Sequence, residues 1–163
     1  MTYLSVITAV HTFISLVAIV AGVFAVADLF RPGARVTAMR LFLWTAFLTS
    51  ATGFLFPGLT LTPAVIVGIV ALLVLAVVAW AARRLHRAGP YQAVFAAGVV
   101  ASLYLLVFVG IAQAFQKVPI LHAFAPTGSE PPFAVAQGIN VLLFIILGVA
   151  AARRGRMRGM RTA

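Results

Sequence analysis

From Pro63 to Ala82 the chain reads PAVIVGIVALLVLAVVAWAA, a run with no charge and, beyond the Trp80 indole, no polar side chain. At 1.5 Å of rise per residue, a helix of this length matches the roughly 30 Å hydrocarbon layer of a bilayer, and in water it has no polar face to present. The segment therefore belongs in lipid, and the rest of the chain has to be read around it. Apolar runs of similar length lie at about residues 3–29, 37–56, 91–116 and 131–152. The composition agrees: 64% hydrophobic and 9% charged residues, with a mean hydropathy of +1.16, lie outside the range of soluble domains. The expectation is an all-α integral membrane protein, a single bundle of five transmembrane helices over residues 1–152, followed by a basic cytoplasmic tail at 153–163.

The breaks between runs carry their own signals. Asp28, Arg31, Pro32 and Gly33 end the first span, with Asp28 read as an exposed interfacial partner of Arg31 or Arg35, and Pro57-Gly58 ends the second. Thr62-Pro63 opens the third, a capping residue followed by proline at the first helical position, and Pro131-Pro132 open the fifth. The N-terminal MTYLSVITAVHTF lacks a basic region and reads as a retained span rather than a signal peptide. Cysteine is absent, which excludes disulfides, thiolate metal sites and thiol redox chemistry.

The net charge of +10 would suggest nucleic acid in a soluble protein, but these basic residues cluster in short connections beside apolar runs. Arg31, Arg35 and Arg40 occupy the first connection, Arg83, Arg84 and Arg87 the third, and Arg153, Arg154, Arg156, Arg158 and Arg161 the tail. The second connection has no Lys or Arg, and the fourth has only Lys117. Retention of basic loops in the cytoplasm then places the N-terminus outside and the C-terminus inside. Anionic lipid head groups on the cytoplasmic side are the expected partners, with no role for nucleic acid. Trp80 and Tyr91 flank the basic turn as an aromatic belt would.

Residues 111–140, IAQAFQKVPILHAFAPTGSEPPFAVAQGIN, are the one long departure from this oily pattern. Gln113, Gln116 and Lys117 share a face at the outer end of the fourth span, and Gln137 and Asn140 share one at the start of the fifth. On the first span Ser5, Thr8, Thr12 and Ser15 form a polar stripe beside His11, and on the second Thr45, Thr49 and Thr52 do the same. Unpaired amides in hydrocarbon cost roughly 2 to 7 kcal/mol each, so these groups should face protein or water. The expected ligand-binding set is His11, Thr49, Gln113, Gln116, Gln137 and Asn140, gathered in the outer half of the bundle. Lys117, His122 and Glu130 sit in the loop above as a lid, and Glu130 can pair with Lys117 or His122 or stand in solvent. This makes the first, second, fourth and fifth spans the core and the third peripheral, or an oligomer contact. Gly98 and Ser102 suit close approach of the fourth span to a neighbour. Structural roles compete at each position: hydroxyls bond back to their own helix carbonyls, and amides bond across helices.

Three stretches carry a resemblance: HTFIS at residues 11–15, TSATGFLFP at 49–57 and QAFQKVPILHAFAPTGSEPPFAVAQ at 113–137. They resemble a family of small, uncharacterised bacterial multi-spanning inner-membrane proteins of similar length. The resemblance implies a bacterial inner membrane and brings no catalytic or binding role with it.

The leading functional expectation is a non-enzymatic protein that binds or passes a small polar solute, ion or lipid, as a transporter, channel or lipid-binding oligomer. The alternative is a redox protein in which His11 holds a haem or a quinone, although no second histidine lies at matching depth in a span. A metal-dependent hydrolase using His11, His122 and Glu130 has no zinc spacing behind it, so no metal or catalytic residue is assigned. An accessory subunit of a larger membrane complex is the remaining reading.

Overall fold

The computed structural model describes residues 3–31, 36–56, 62–87 and 90–161. Pro32, Gly33, Arg35, Pro57 and Gly58, used above as breaks or charges, lie outside them. Six helices follow in order: α1 Tyr3–Leu29, α2 Val36–Gly53, α3 Pro63–Ala82, α4 Tyr91–Lys117, α5 Pro119–Phe124 and α6 Pro131–Arg161, with no strand among the described residues. Four of them are long and apolar enough to cross a membrane: α1, α3, α4 and α6 as far as Met157. The second apolar run forms α2, which falls short because Arg40 and several hydroxyl residues interrupt its 18 residues.

Local chemistry accounts for the ends. Thr62 caps α3 by accepting a hydrogen bond from the Val65 amide at 3.4 Å, and Pro63 takes a first-turn position where its missing N–H is no loss. Pro119 and Pro131 begin α5 and α6 in the same way. Beyond residue 152 the basic tail continues α6 to Arg161, arginine being a good helix former and no proline intervening, although Gly155 and Gly159 lie within it.

Packing is inverted relative to a water-soluble core. Ala18, Ala21, Ala25, Ala46, Ala81, Ala96 and Ala151 are buried, whereas Val20, Phe24, Leu73, Leu142 and Ile146 lie more than half exposed. Small residues let backbones approach around a few buried large ones, Phe42, Val78, Val99, Val100 and Leu103, while most of the other large side chains face outward, the arrangement expected where lipid is as apolar as leucine and close packing does the work of association. In water an apolar exterior of this extent would drive aggregation.

The hub is α4, which touches α1, α2, α3, α5 and α6. It runs antiparallel to α1, with Leu103 over Gly22 and Gly110 beside Ile19. Its pairing with α6 is also antiparallel and spans their length: Gln92 against Gly155, Val100 against Gly148, Tyr104 against Phe144, and Phe115 against Phe133. Gly98 lies against Val78 of α3, and Ser102 is buried one turn on, the close approach expected of that pair. The division into core and periphery departs from the expectation at the fifth run and not at the third, since α3 is less buried than α1 and α4. α3 packs on α4 and α2, while α6 packs chiefly on α4 and is the least buried of the four long helices. Small-residue faces, rather than side-chain polarity, decide which helices sit inside. Asp28 differs too: it is buried and engaged rather than an exposed member of a surface pair.

Candidate functional site

The hydroxyl residues of α1 and α2 mostly serve their own helices. Thr8 donates to the Leu4 carbonyl at 2.8 Å, Ser15 to His11 at 2.7 Å and Thr45 to Leu41 at 2.7 Å. Thr52 is the exception in having a second task. Its Oγ1 lies 2.7 Å from the Leu48 carbonyl and 2.9 Å from His11 Nδ1. A hydroxyl has one proton; given to Leu48, it leaves Oγ1 as acceptor, so Nδ1 of His11 carries the imidazole proton and Nε2 keeps a bare lone pair. The Phe56 ring stands edge-on to the imidazole with centroids 5.5 Å apart. His11 is half-buried and ties α1 to α2.

The amides of α6 meet α4 instead. Gln137 donates from Nε2 to the Phe108 carbonyl at 3.0 Å. That carbonyl remains exposed to a second donor because one C=O offers two lone pairs. Asn140, one turn along the same face, is buried beside it. Among the described residues Gln137 Oε1, Asn140 Nδ2 and the buried hydroxyl of Thr49 have no hydrogen-bond partner.

Depth follows from the register. With Ile19 beside Gly110 on antiparallel helices, His11 lies level with the end of α4 near Lys117, whereas Gln137 lies level with Phe108. Nine residues of helix separate those levels on α4, roughly 13 Å at 1.5 Å per residue. The six expected ligand-binding residues are thus spread along the bundle: His11 on the α1–α2 seam, Thr49 buried in α2, Gln137 and Asn140 on the α4–α6 seam level with Phe108, and Gln113 and Gln116 at the C-terminal end of α4. Gln113 is exposed, and Gln116 alone of the six lines the cleft described next.

That cleft, about 350 Å³, opens between the C-terminal end of α4, the 125–128 loop and the start of α6. Ala112, Phe115, Gln116, Ala125, Pro126, Thr127, Gly128 and Phe133 line it. Phe115 and Phe133 pack edge to face, centroids 5.5 Å apart, and form its apolar floor between the two helices. Gln116 and Thr127 supply polar groups at the wall. The loop turns at Gly128, whose φ of 72° is a left-handed conformation that side-chain-bearing residues avoid.

Glu130 holds this loop in shape. Its Oε1 accepts from the Thr127 amide at 3.0 Å and hydroxyl at 2.9 Å, and its Oε2 from the Ser129 amide at 3.0 Å. Its own carbonyl receives the amides of Phe133 and Ala134 at the start of α6. Desolvation draws the carboxyl pKa upward, but these hydrogen bonds to the charged form outweigh it and hold the pKa below the ordinary glutamate value. The carboxylate therefore serves its own loop, where pairing with Lys117 or His122 had been open. Lys117 and His122 are both exposed, at the end of α4 and on α5.

Phe115, Phe133 and Thr52 are the residues that the sequence alone did not single out. The chain has thirteen phenylalanines, and nothing in their spacing marks the two that meet across the cleft. Thr52 was visible as part of a stripe, but its contact with His11 spans 41 residues. No group of three histidine, cysteine, aspartate or glutamate side chains able to hold a metal occurs among the described residues.

Comparison with the models of known protein families, with curated proteins and with solved structures gave no match. Function has to be argued from the cleft and the bundle themselves.

Proposed function

We propose that the chain is a five-span protein of a bacterial inner membrane, N-terminus outside and C-terminus in the cytoplasm, that binds a small amphiphile such as a lipid in the cleft at its outer end. α2 is the added span: its 18 residues reach about 27 Å, and Arg40, near its start, can extend its guanidinium to the interface. The orientation is supported by the basic residues at one end of the bundle. There Arg84 stacks over Trp80 at 4.6 Å, Trp80 meets Tyr91 at 5.4 Å, and the Arg-rich end of α6 packs beside Gln92. The resemblance to small bacterial membrane proteins supports the compartment.

The observation that carries the ligand class is the composition of the cleft. A floor of two phenylalanines beneath Gln116 and Thr127 suits a molecule with an apolar body and a polar end better than a bare ion. The test is binding of a spin-labelled phospholipid to the purified protein and to Ala112→Trp, which fills the cleft. Binding to the parent and its loss in the variant, with unchanged helical content, is the expected result. Equal binding by both places the ligand elsewhere.

A second reading, a redox protein, is favoured by one observation. With its Nδ1 proton committed to Thr52, His11 presents a bare Nε2 that can accept from a quinol hydroxyl or ligate haem iron. A Soret band in the purified protein, absent in His11→Ala, would establish the haem form of that reading. Quinol extracted from the parent but not from the variant would establish the other.

A further inference from the structure

Ile120, on the shortest helix, is the most exposed large apolar residue among those described. Ile120 and Phe124 of α5 are 72% and 63% exposed, and no residue of α5 is buried. Turning 100° per residue, Ile120 and Phe124 share one flank of the helix, and His122 projects from the opposite flank. Leu121 and Ala125 fall between the two flanks and are the better buried positions, Leu121 half-buried and Ala125 almost wholly so, which turns that side toward the bundle. A short helix docked on α4 thus carries an apolar flank and a polar flank on its two sides. It begins at Pro119, one residue after the end of a helix long and apolar enough to cross the membrane, with the exposed Lys117 ammonium at the junction.

We propose that α5 lies in the interface of the outer leaflet, with Ile120 and Phe124 inserted among lipid acyl chains and His122 turned to water. Two features select lipid as the occupant. The apolar flank follows directly in the chain on α4, a helix long and apolar enough to cross a membrane, and the exposed Lys117 stands at the junction, its stem apolar and its ammonium placed for phosphate. The His122 flank provides the polar contrast that an interfacial helix needs and a buried protein contact does not. By this arrangement α5 anchors one end of the loop that walls the cleft, whatever the cleft holds.

The test uses the whole chain with Trp44→Phe and Trp80→Phe, carrying Ile120→Trp, Phe124→Trp or His122→Trp in turn, reconstituted in phosphatidylcholine vesicles. At 120 and 124 the emission should be blue-shifted, and lipids brominated on the acyl chains should remove more than about half of it while aqueous iodide removes little. At 122 the order should reverse. Quenching by iodide at all three positions would overturn the proposal, and so would shielding from both quenchers at 120 and 124, which would mean that a second copy or another protein covers the flank. If the tryptophan-free background fails to fold, nitroxides on single cysteines at 120, 122 and 124 of the otherwise native, cysteine-free chain give the same comparison. Oxygen should then relax the labels at 120 and 124 more than a water-soluble nickel chelate does, with the opposite at 122; equal chelate access at all three would overturn the proposal.

Discussion

His11 and Thr52 form a junction between helices whose strength is bounded by its setting. Side-chain hydrogen bonds between membrane helices average about 0.6 kcal/mol and reach roughly 1.7, because the separated helices find other partners. A double-mutant cycle with His11→Phe and Thr52→Val should therefore give a coupling of about 0.6 and no more than roughly 1.7 kcal/mol. Zero coupling would mean that the 2.9 Å contact does not persist. The two amides of α6 should behave differently from each other. Gln137→Leu removes the bond to the Phe108 carbonyl and should destabilise by a similar amount, while Asn140→Leu removes a buried group whose Nδ2 has no partner among the described residues. Leaving such a group unmet costs about 1 to 3 kcal/mol, so Asn140→Leu should be neutral or stabilising in denaturant unfolding. A loss of stability there would show that Asn140 serves a bound molecule. Glu130 sets a pH dependence. Its pKa is depressed in the folded loop, so its contribution is present above the unfolded glutamate pKa and is lost as pH falls through the lower folded value. Exchange of the Thr127 and Ser129 amides should quicken on acidification below that window, beyond the intrinsic change, and Glu130→Gln should abolish the effect.

At the scale of the element, α6 is held to α4 by contacts that tolerate little addition. A Cβ at Gly155 would stand 2.6 Å from the Gln92 carbonyl oxygen, and backbone cannot rotate aside as a side chain can. Gly155→Ala should cost about 1 to 3 kcal/mol in unfolding measurements, whereas Gly138→Ala, with open space around it, should be neutral or gain up to about 1 kcal/mol in helix propensity. Equal behaviour of the two would contradict the close approach. The elements themselves were largely legible in the sequence, because unbroken apolar runs and the pairs Thr62-Pro63 and Pro131-Pro132 are local signals. The end of α6 was not, since a run of arginines reads equally as tail or helix until Gly155 is seen against α4. The order of burial was hidden for a related reason. Polarity of Gln137 and Asn140 suggested a central helix, but a single polar stripe needs only one neighbour, and α4 is enough. In the candidate site, Gln116 and the loop above it were visible as a polar interruption, while the floor of Phe115 and Phe133 depends on a pairing that only the register of α4 on α6 supplies.

On the scale of the whole molecule, a bundle with an apolar exterior carries a cleft at the C-terminal end of α4. The bundle has its small residues inside, its basic residues toward one end and its hydrogen-bonded loop at the other. With the proposed orientation the two ends meet different compartments, and the absence of native cysteine makes that directly readable. Arg87→Cys, in the basic turn, should react with a membrane-impermeant maleimide only after sealed right-side-out vesicles are opened. The most direct measurement is the same labelling at Gln116→Cys in the cleft, with and without a short-chain phospholipid. Reaction in sealed vesicles that slows several-fold when the phospholipid is added is the predicted result, and a thiol that stays unreactive until the vesicles are opened, or reacts equally fast with and without the lipid, would contradict the account.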